Sequence, residues 1–285
     1  MSEIVYLNGS LVPREDARIS VMDYGFLYGY GLFETMRAYG GRIFRLERHL
    51  ERLAGSAAKL GIAVDKSVLE SAVMDTIKAN RLSEARIRLT VSIGEGGTVP
   101  DPASCGQPTV LVVVSHYQPL PQEVYEKGYR AIVSSVRRNS QSPLAAMKSL
   151  SYLESMLVRQ EARAAGVDEA ICLNGEGMLA EASTSNIFLV GDGALKTPSV
   201  SSGGLPGVTR ETVLEIAGKL GITTMEDDIT FKELIQAEEA FLTNSVIEIM
   251  PLVEIDGKPI GSGTPGEITR KLMAGYKEMV RGEVG

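Results

Sequence analysis

Histidine and cysteine are scarce in this 285-residue chain, with two of each. His49 and His116 cannot build a His-rich metal site, which argues against a zinc or iron enzyme, and no metal is expected. Cys105 and Cys172 are far apart and outside any metal-ligand spacing, so they read as reduced thiols of a cytoplasmic protein. Positive charge is also short: 29 Lys and Arg face 36 Asp and Glu, for a formal net charge of −7. That balance argues against non-specific nucleic-acid binding. No apolar run approaches the roughly 18–20 residues that cross a membrane. The opening MSEIVYLNGS lacks the basic and apolar regions of a signal peptide. GxxxxGK[ST], GxSxG and a GxGxxG in strand-to-helix context are missing as well.

What is present suits a globular α/β (α+β) protein, with 44% hydrophobic and 23% charged residues. The length allows one large domain or two medium ones. Pro119, Pro121 and Gly128 mark residues 118–128 as a linker between a smaller N-terminal domain, 1–117, and a larger C-terminal one, 129–285. In the first, apolar spacing gives an amphipathic helix over 44–60 whose other face carries Arg45, Arg48 and Arg52. A second helix is expected over 66–80, and strands over 32–39, 86–93 and 108–115. Residues 23–31 hold three glycines and three tyrosines, which suit a loop or a close approach to a ligand better than a regular helix.

In the second domain, Lys148 reads as the opening of a helix that ends at Gly166. A hairpin follows (169–173 and 178–182), with Glu181 on its second strand, and then a strand over 187–190. Gly203-Gly204-Leu205-Pro206-Gly207 leads into a helix over 210–220. Glycines ahead of a helix expose N–H groups at its positive end, either as an anion site or as an ordinary loop capped by Thr209. A lysine at a helix start feels the same positive end, which favours a neutral, nucleophilic amine. Such a lysine, a later carboxylate and a phosphate cup are what pyridoxal phosphate requires.

The stretches YGFLYGYGLFETMR, FRLERHLERL, KSLSYL, DEAICLNGEGMLAEASTSNIFLV, LPGVTRETVLEIA and FLTNSVIEIMPLVEIDG together resemble the class IV (fold type IV) pyridoxal-phosphate enzymes over almost the whole chain. That family includes branched-chain aminotransferases, D-amino acid aminotransferases and 4-amino-4-deoxychorismate lyases. The resemblance implies two α/β domains with pyridoxal 5'-phosphate in the cleft between them, and a homodimer whose sites borrow a loop from the partner. By position, it implies that Lys148 joins the cofactor covalently and that Glu181 pairs with its pyridine nitrogen. It assigns Arg52, the N–H groups of Val208 and Thr209, and the Ser245 hydroxyl to the phosphate, and Tyr152 to the ring oxygen. Tyr28, Thr35, Arg37, Arg88 and Ile93 match substrate-pocket positions.

The member within the family is less direct. Thr35 stands where branched-chain enzymes usually have glycine, and Lys148-Ser149-Leu150-Ser151, Thr243-Asn244-Ser245 and Arg137-Arg138-Asn139 look more like the lyases, or, in the lysine segment, like the D-amino acid enzymes. Ile93 stands where the D-amino acid enzymes and some lyases carry a carboxylate-gripping arginine, and isoleucine cannot make a guanidinium's paired hydrogen bonds. The expectation is a transaminase moving an amino group from a branched-chain or other hydrophobic amino acid to a 2-oxo acid. The alternatives are aminodeoxychorismate lyase, and a D-amino acid or amine transaminase.

Overall fold

The computed structural model describes residues 3–284, so Met1, Ser2 and Gly285, at the two ends of the sequence, lie outside it. The chain divides into two compact units. The first runs to Gln118 and also takes in Met147–Tyr152 and the chain end from Glu283. The second holds Pro119–Ala146 and Leu153–Gly282. The segment expected as a linker therefore belongs mostly to the second unit, and part of it is helical. A short piece of the expected C-terminal domain, which includes Lys148, packs with the first unit.

In the first unit, β1 (Ile4–Leu7) turns into β2 (Ser10–Pro13) through Asn8 and Gly9. Both take positive φ (48° and 93°), the twist that a two-residue hairpin turn needs. Next come α1 (Tyr24–Tyr28), β3 (Gly31–Tyr39), β4 (Arg42–Ile43), α2 (Leu46–Lys59), α3 (Lys66–Asn80), β5 (Ala85–Ser92) and β6 (Thr109–His116). The sheet is antiparallel, in the order β2-β1-β6-β5-β3-β4. Leu50, Leu53 and Ala57 of α2 and Leu69, Ala72, Val73 and Ile77 of α3 share one core with Met36, Ile87, Leu89 and Val91 of the sheet. The glycine-rich stretch is not all loop. Asp23 accepts a hydrogen bond from Gly25 N–H and caps the five-residue α1, which ends at Gly29 in the left-handed conformation (φ 67°).

The second unit begins with α4 (Gln122–Lys127), then β7 (Tyr129–Arg138), α5 (Leu153–Ala164), β8 (Glu169–Asn174) and β9 (Leu179–Ala182). β10 (Asn186–Gly191), β11 (Ala194–Pro198), α6 (Val208–Lys219), β12 (Thr223–Asp227) and α7 (Phe231–Gln236) follow. β13 (Glu239–Asn244), β14 (Glu248–Ile255), β15 (Lys258–Pro259) and α8 (Glu267–Val284) complete it. Its sheet runs β12-β11-β10-β13-β14-β7-β8-β9, with β15 on β14. β7 and β8 are parallel, and the connection between them carries α5. β8 is buried along its whole length, as a strand covered on both faces must be. β11 and β12 had no counterpart in the sequence reading. The charges of Thr223–Asp227 obscure a strand that is exposed throughout.

Candidate functional site

The first unit gathers one group of the expected residues around β3. Lys148 is not at the start of a helix. Phe33 N–H donates to Lys148 O and Leu150 N–H donates to Gly31 O, each at 2.9 Å, so Lys148–Leu150 lies as a short antiparallel strand on β3. The helix begins five residues later, at Leu153. The expectation that a helix dipole acts on the lysine is therefore wrong, because its backbone is spent on the β3 edge. Its Nζ lies 4.6 Å from the centroid of the Phe33 ring and 5.9 Å from that of Tyr152. Those two rings meet edge to face at 5.2 Å. The Arg88 guanidinium sits 3.9 Å from the same Phe33 centroid. Burial, then the nearby Arg86 charge, lowers the Arg88 pKa, yet a guanidinium keeps its charge.

Strand register places Thr35 directly opposite Arg88 and Arg37 opposite Arg86. Arg37 is buried, with its guanidinium 4.2 Å from the Tyr39 ring centroid and 4.4 Å from that of Tyr117. Tyr28, half-exposed at the end of α1, packs its ring against Tyr24. Ile93 lies just past β5 and is buried in the apolar core.

Residues of β3 alternate between faces, so Glu34 lies on the opposite face from Phe33 and Thr35. It is fully buried and meets two side chains of α2. Arg52 donates from Nε to Oε1 at 2.8 Å and from Nη2 to Oε2 at 2.5 Å. His49 Nδ1 lies 2.8 Å from Oε2. An ionised carboxylate only accepts, so Nδ1 carries the hydrogen. Burial opposes the charge on Glu34, but Arg52 and His49 outweigh it and hold the pKa down at about 2. Burial pushes the His49 pKa down, against the pull of Glu34, with Arg52 and Lys148 adding to the fall. Arg48, on the same helix, pairs with Glu51 at the surface.

The second unit gathers the others. Glu181 projects from β9 with both oxygens engaged: Oε1 accepts from Arg138 Nη2 at 2.7 Å, and Oε2 from Leu205 N–H at 2.9 Å. Arg138 also donates to Ser155 Oγ (2.9 Å) and to Glu154 (3.2 Å). Burial works against the Arg138 charge, but the Glu181 and Glu154 carboxylates prevail and raise its pKa. Cys172, opposite Glu181 in register, is buried, and its thiol is pushed up to about 12.

Val208 and Thr209 open α6 and are buried. The helix is capped by Gly207, which has no side chain to offer, so its first N–H groups remain available to an anion. A Cβ at Gly207 would fall 2.0 Å from Asn186 Oδ1, so a side chain there would have to displace the Asn186 amide. Asn186 Nδ2 in turn donates to Leu205 O at 2.8 Å. Ser245 sits in the turn after β13, where Asn244 Oδ1 accepts from the N–H groups of Val246 and Ile247. Thr243, buried opposite Asn186, has an Oγ1 without a hydrogen-bond partner among the described residues.

Three residues of these clusters were missed from sequence. Glu34 and His49 were not singled out, although a carboxylate between Leu32, Met36 and Ala38 on the inward face of a strand is itself a signal. Arg138 was noted only as part of a tripeptide. Nothing in its spacing points to Glu181, 43 positions on.

Over residues 31–255 the chain matches the family model described as Amino-transferase class IV. A putative branched-chain-amino-acid aminotransferase of Methanocaldococcus jannaschii is 42% identical over 278 residues, 96% of each chain. The aminodeoxychorismate lyase of Bacillus subtilis is 34% identical over 282 residues, 98% of this chain and 95% of the other. Among solved structures, a T.th. branched-chain amino acid aminotransferase with pyridoxamine 5'-phosphate superposes with a TM-score of 0.94. It is 34% identical, and the match covers 99% of this chain and 95% of the other.

Proposed function

This chain belongs to the class IV aminotransferases, and from that premise we propose that it transfers the amino group of a branched-chain or similar hydrophobic amino acid to a 2-oxo acid. The cofactor is pyridoxal 5'-phosphate. The residues fit it: an amine at Lys148, a carboxylate at Glu181 anchored by two donors, and a helix N-terminus whose glycine cap puts no side chain over its N–H groups. Lys148 holds the cofactor, Glu181 faces its ring nitrogen, and Tyr152 its ring oxygen. Arg52, the N–H groups of Val208 and Thr209, and the Ser245 hydroxyl take its phosphate. Bound there, the cofactor would supply an electron sink for the substrate Cα. Lys148 Nζ would take up the proton that leaves Cα and deliver it to the cofactor carbon that takes over the amino group, while Glu181 would keep the ring nitrogen protonated.

The observation that carries the substrate reading is the Phe33 ring with Lys148, Tyr152 and Arg88 around it. It combines apolar walls with one cation for a carboxylate. Tyr28, Thr35, Arg37 and Ile93 shape the remainder, and the buried apolar Ile93 supplies no second carboxylate grip. The protein works as a homodimer in the cytoplasm. Exposed Val21, Phe26, Leu27 and Tyr28 support association, and among the described residues no helix is long and apolar enough to cross a membrane.

A second reading, aminodeoxychorismate lyase, has Thr35 and Thr243-Asn244-Ser245 in its favour, together with the Bacillus subtilis relative. The two separate in one assay of the purified enzyme. L-Leucine with 2-oxoglutarate should yield glutamate. Release of 4-aminobenzoate from aminodeoxychorismate, with no turnover of any amino acid, would overturn the transaminase.

A further inference from the structure

We infer that Glu34, held in turn by His49, is the positioning residue that aims Arg52 at the cofactor phosphate. The inference rests on the reading of Arg52 as a phosphate ligand. A guanidinium has five donors in a rigid planar fork. Glu34 takes the Nε edge and one Nη2 hydrogen, in a bidentate pair of 2.8 and 2.5 Å. An anion gripped by Arg52 therefore meets the end of the fork turned away from Glu34, and the carboxylate sets the plane in which that end lies. The carboxylate cannot swing, because it is fully buried on a central run of β3 and His49 pins Oε2 from the same helix as Arg52.

The charges make the role unusual. Arg52 and Glu34 cancel, and burial keeps His49 on the neutral side, so the cluster brings no net charge to a dianion. A buried pair of this kind contributes little to stability that well-packed apolar side chains could not supply. What it does supply is direction. Arg52 then acts through oriented hydrogen bonds rather than through raw attraction, and the two modes predict opposite effects of neutralising Glu34.

The test compares pyridoxal 5'-phosphate with pyridoxal, which shares the aldehyde and ring but has no phosphate. Full-length protein freed of cofactor is titrated with each, and binding is followed by absorbance. Glu34→Gln should weaken pyridoxal 5'-phosphate by about tenfold, the scale of a lost charge-assisted hydrogen bond, and leave pyridoxal unchanged. A purely structural role would weaken both alike, and a purely Coulombic one would tighten the phosphate form; either result overturns the inference. If Glu34→Gln does not fold, His49→Phe, which loosens the carboxylate without removing it, should lower the preference for the phosphate form about threefold. An unchanged preference there overturns it too. Arg52→Gln is the separating control. If that variant keeps the full preference, the phosphate role of Arg52 fails and the inference with it. If it loses the preference while Glu34→Gln does not, only the role of Glu34 fails.

Discussion

Glu34 stays ionised inside the first unit because two donors of α2 offset what burial takes away. Its folded pKa of about 2 lies below the ordinary 4.5, so the pair stabilises the fold above pH 4.5 and that contribution fades as pH falls towards 2. The linked free energy is on the order of 3 kcal/mol. Urea midpoints of wild type and Glu34→Gln should differ at pH 7 and converge between pH 4.5 and 2.5. His49 adds a second, higher window. Its folded pKa is lowered from 6.5, so its contribution is complete above 6.5 and is lost as pH falls below it. At the other cluster, Glu181→Gln leaves a hydrogen-bonding group of the same size between Arg138 and Leu205 but loses the charge proposed to face the ring nitrogen. Turnover should fall by on the order of 100-fold while cofactor affinity changes little; equal losses in both would reject the assigned role. Glu181 was legible in the sequence as a carboxylate on the second strand of a hairpin. Its partner Arg138 was not, because the two meet only when β7, β8 and β9 are laid side by side.

The element that carries Lys148, the proposed reactive amine, is the short strand Lys148–Leu150. From apolar spacing alone it reads as the first turn of α5, since Leu150, Leu153, Leu157 and Val158 recur at helical intervals. The backbone instead pairs with β3, and Leu150 is drawn onto that strand. Gly31 is what permits this. A Cβ there would lie 2.5 Å from Val91 O and 2.7 Å from Leu150 Cδ1. Gly31→Ala should therefore cost roughly 1–3 kcal/mol and lower activity by shifting Lys148. Gly55→Ala is the counterpart on α2. Nothing stands within 4 Å of its would-be Cβ, and the substitution should stabilise by about 0.5–1 kcal/mol with activity intact. Thermal unfolding of the two variants checks both. α2 itself was legible as a helix, and its charged face was not. Arg48 and Arg52 look alike one turn apart, and only the position of Glu34 beneath one of them separates a surface ion pair from a buried one.

At the scale of the whole molecule, the proposed dimer is measurable. Sedimentation should give twice the 30.6 kDa chain mass, and Phe26→Glu, a charge placed in the exposed apolar cluster of α1, should shift it towards the monomer and reduce activity together. A fully active monomer would reject the proposal. The two-unit division was approached from composition, since Pro119 and Pro121 stand at the break. The exchange of Met147–Tyr152 into the first unit was out of reach of any linear reading.

By itself the sequence determined the family, and with it the lysine, the later carboxylate and the glycine turn before α6 that are proposed to serve it, together with the alternating and helical patterns that make these strands and helices. Those are local properties, set by residue type, spacing and turn preference along one stretch of chain. Tertiary structure decided which charges are at work. Arg52 differs from Arg48, Arg138 from Arg137, and Glu34 from any other strand carboxylate only by what lies across from it. Burial multiplies the strength of such pairings, and burial is a property of the packed sheets and helices.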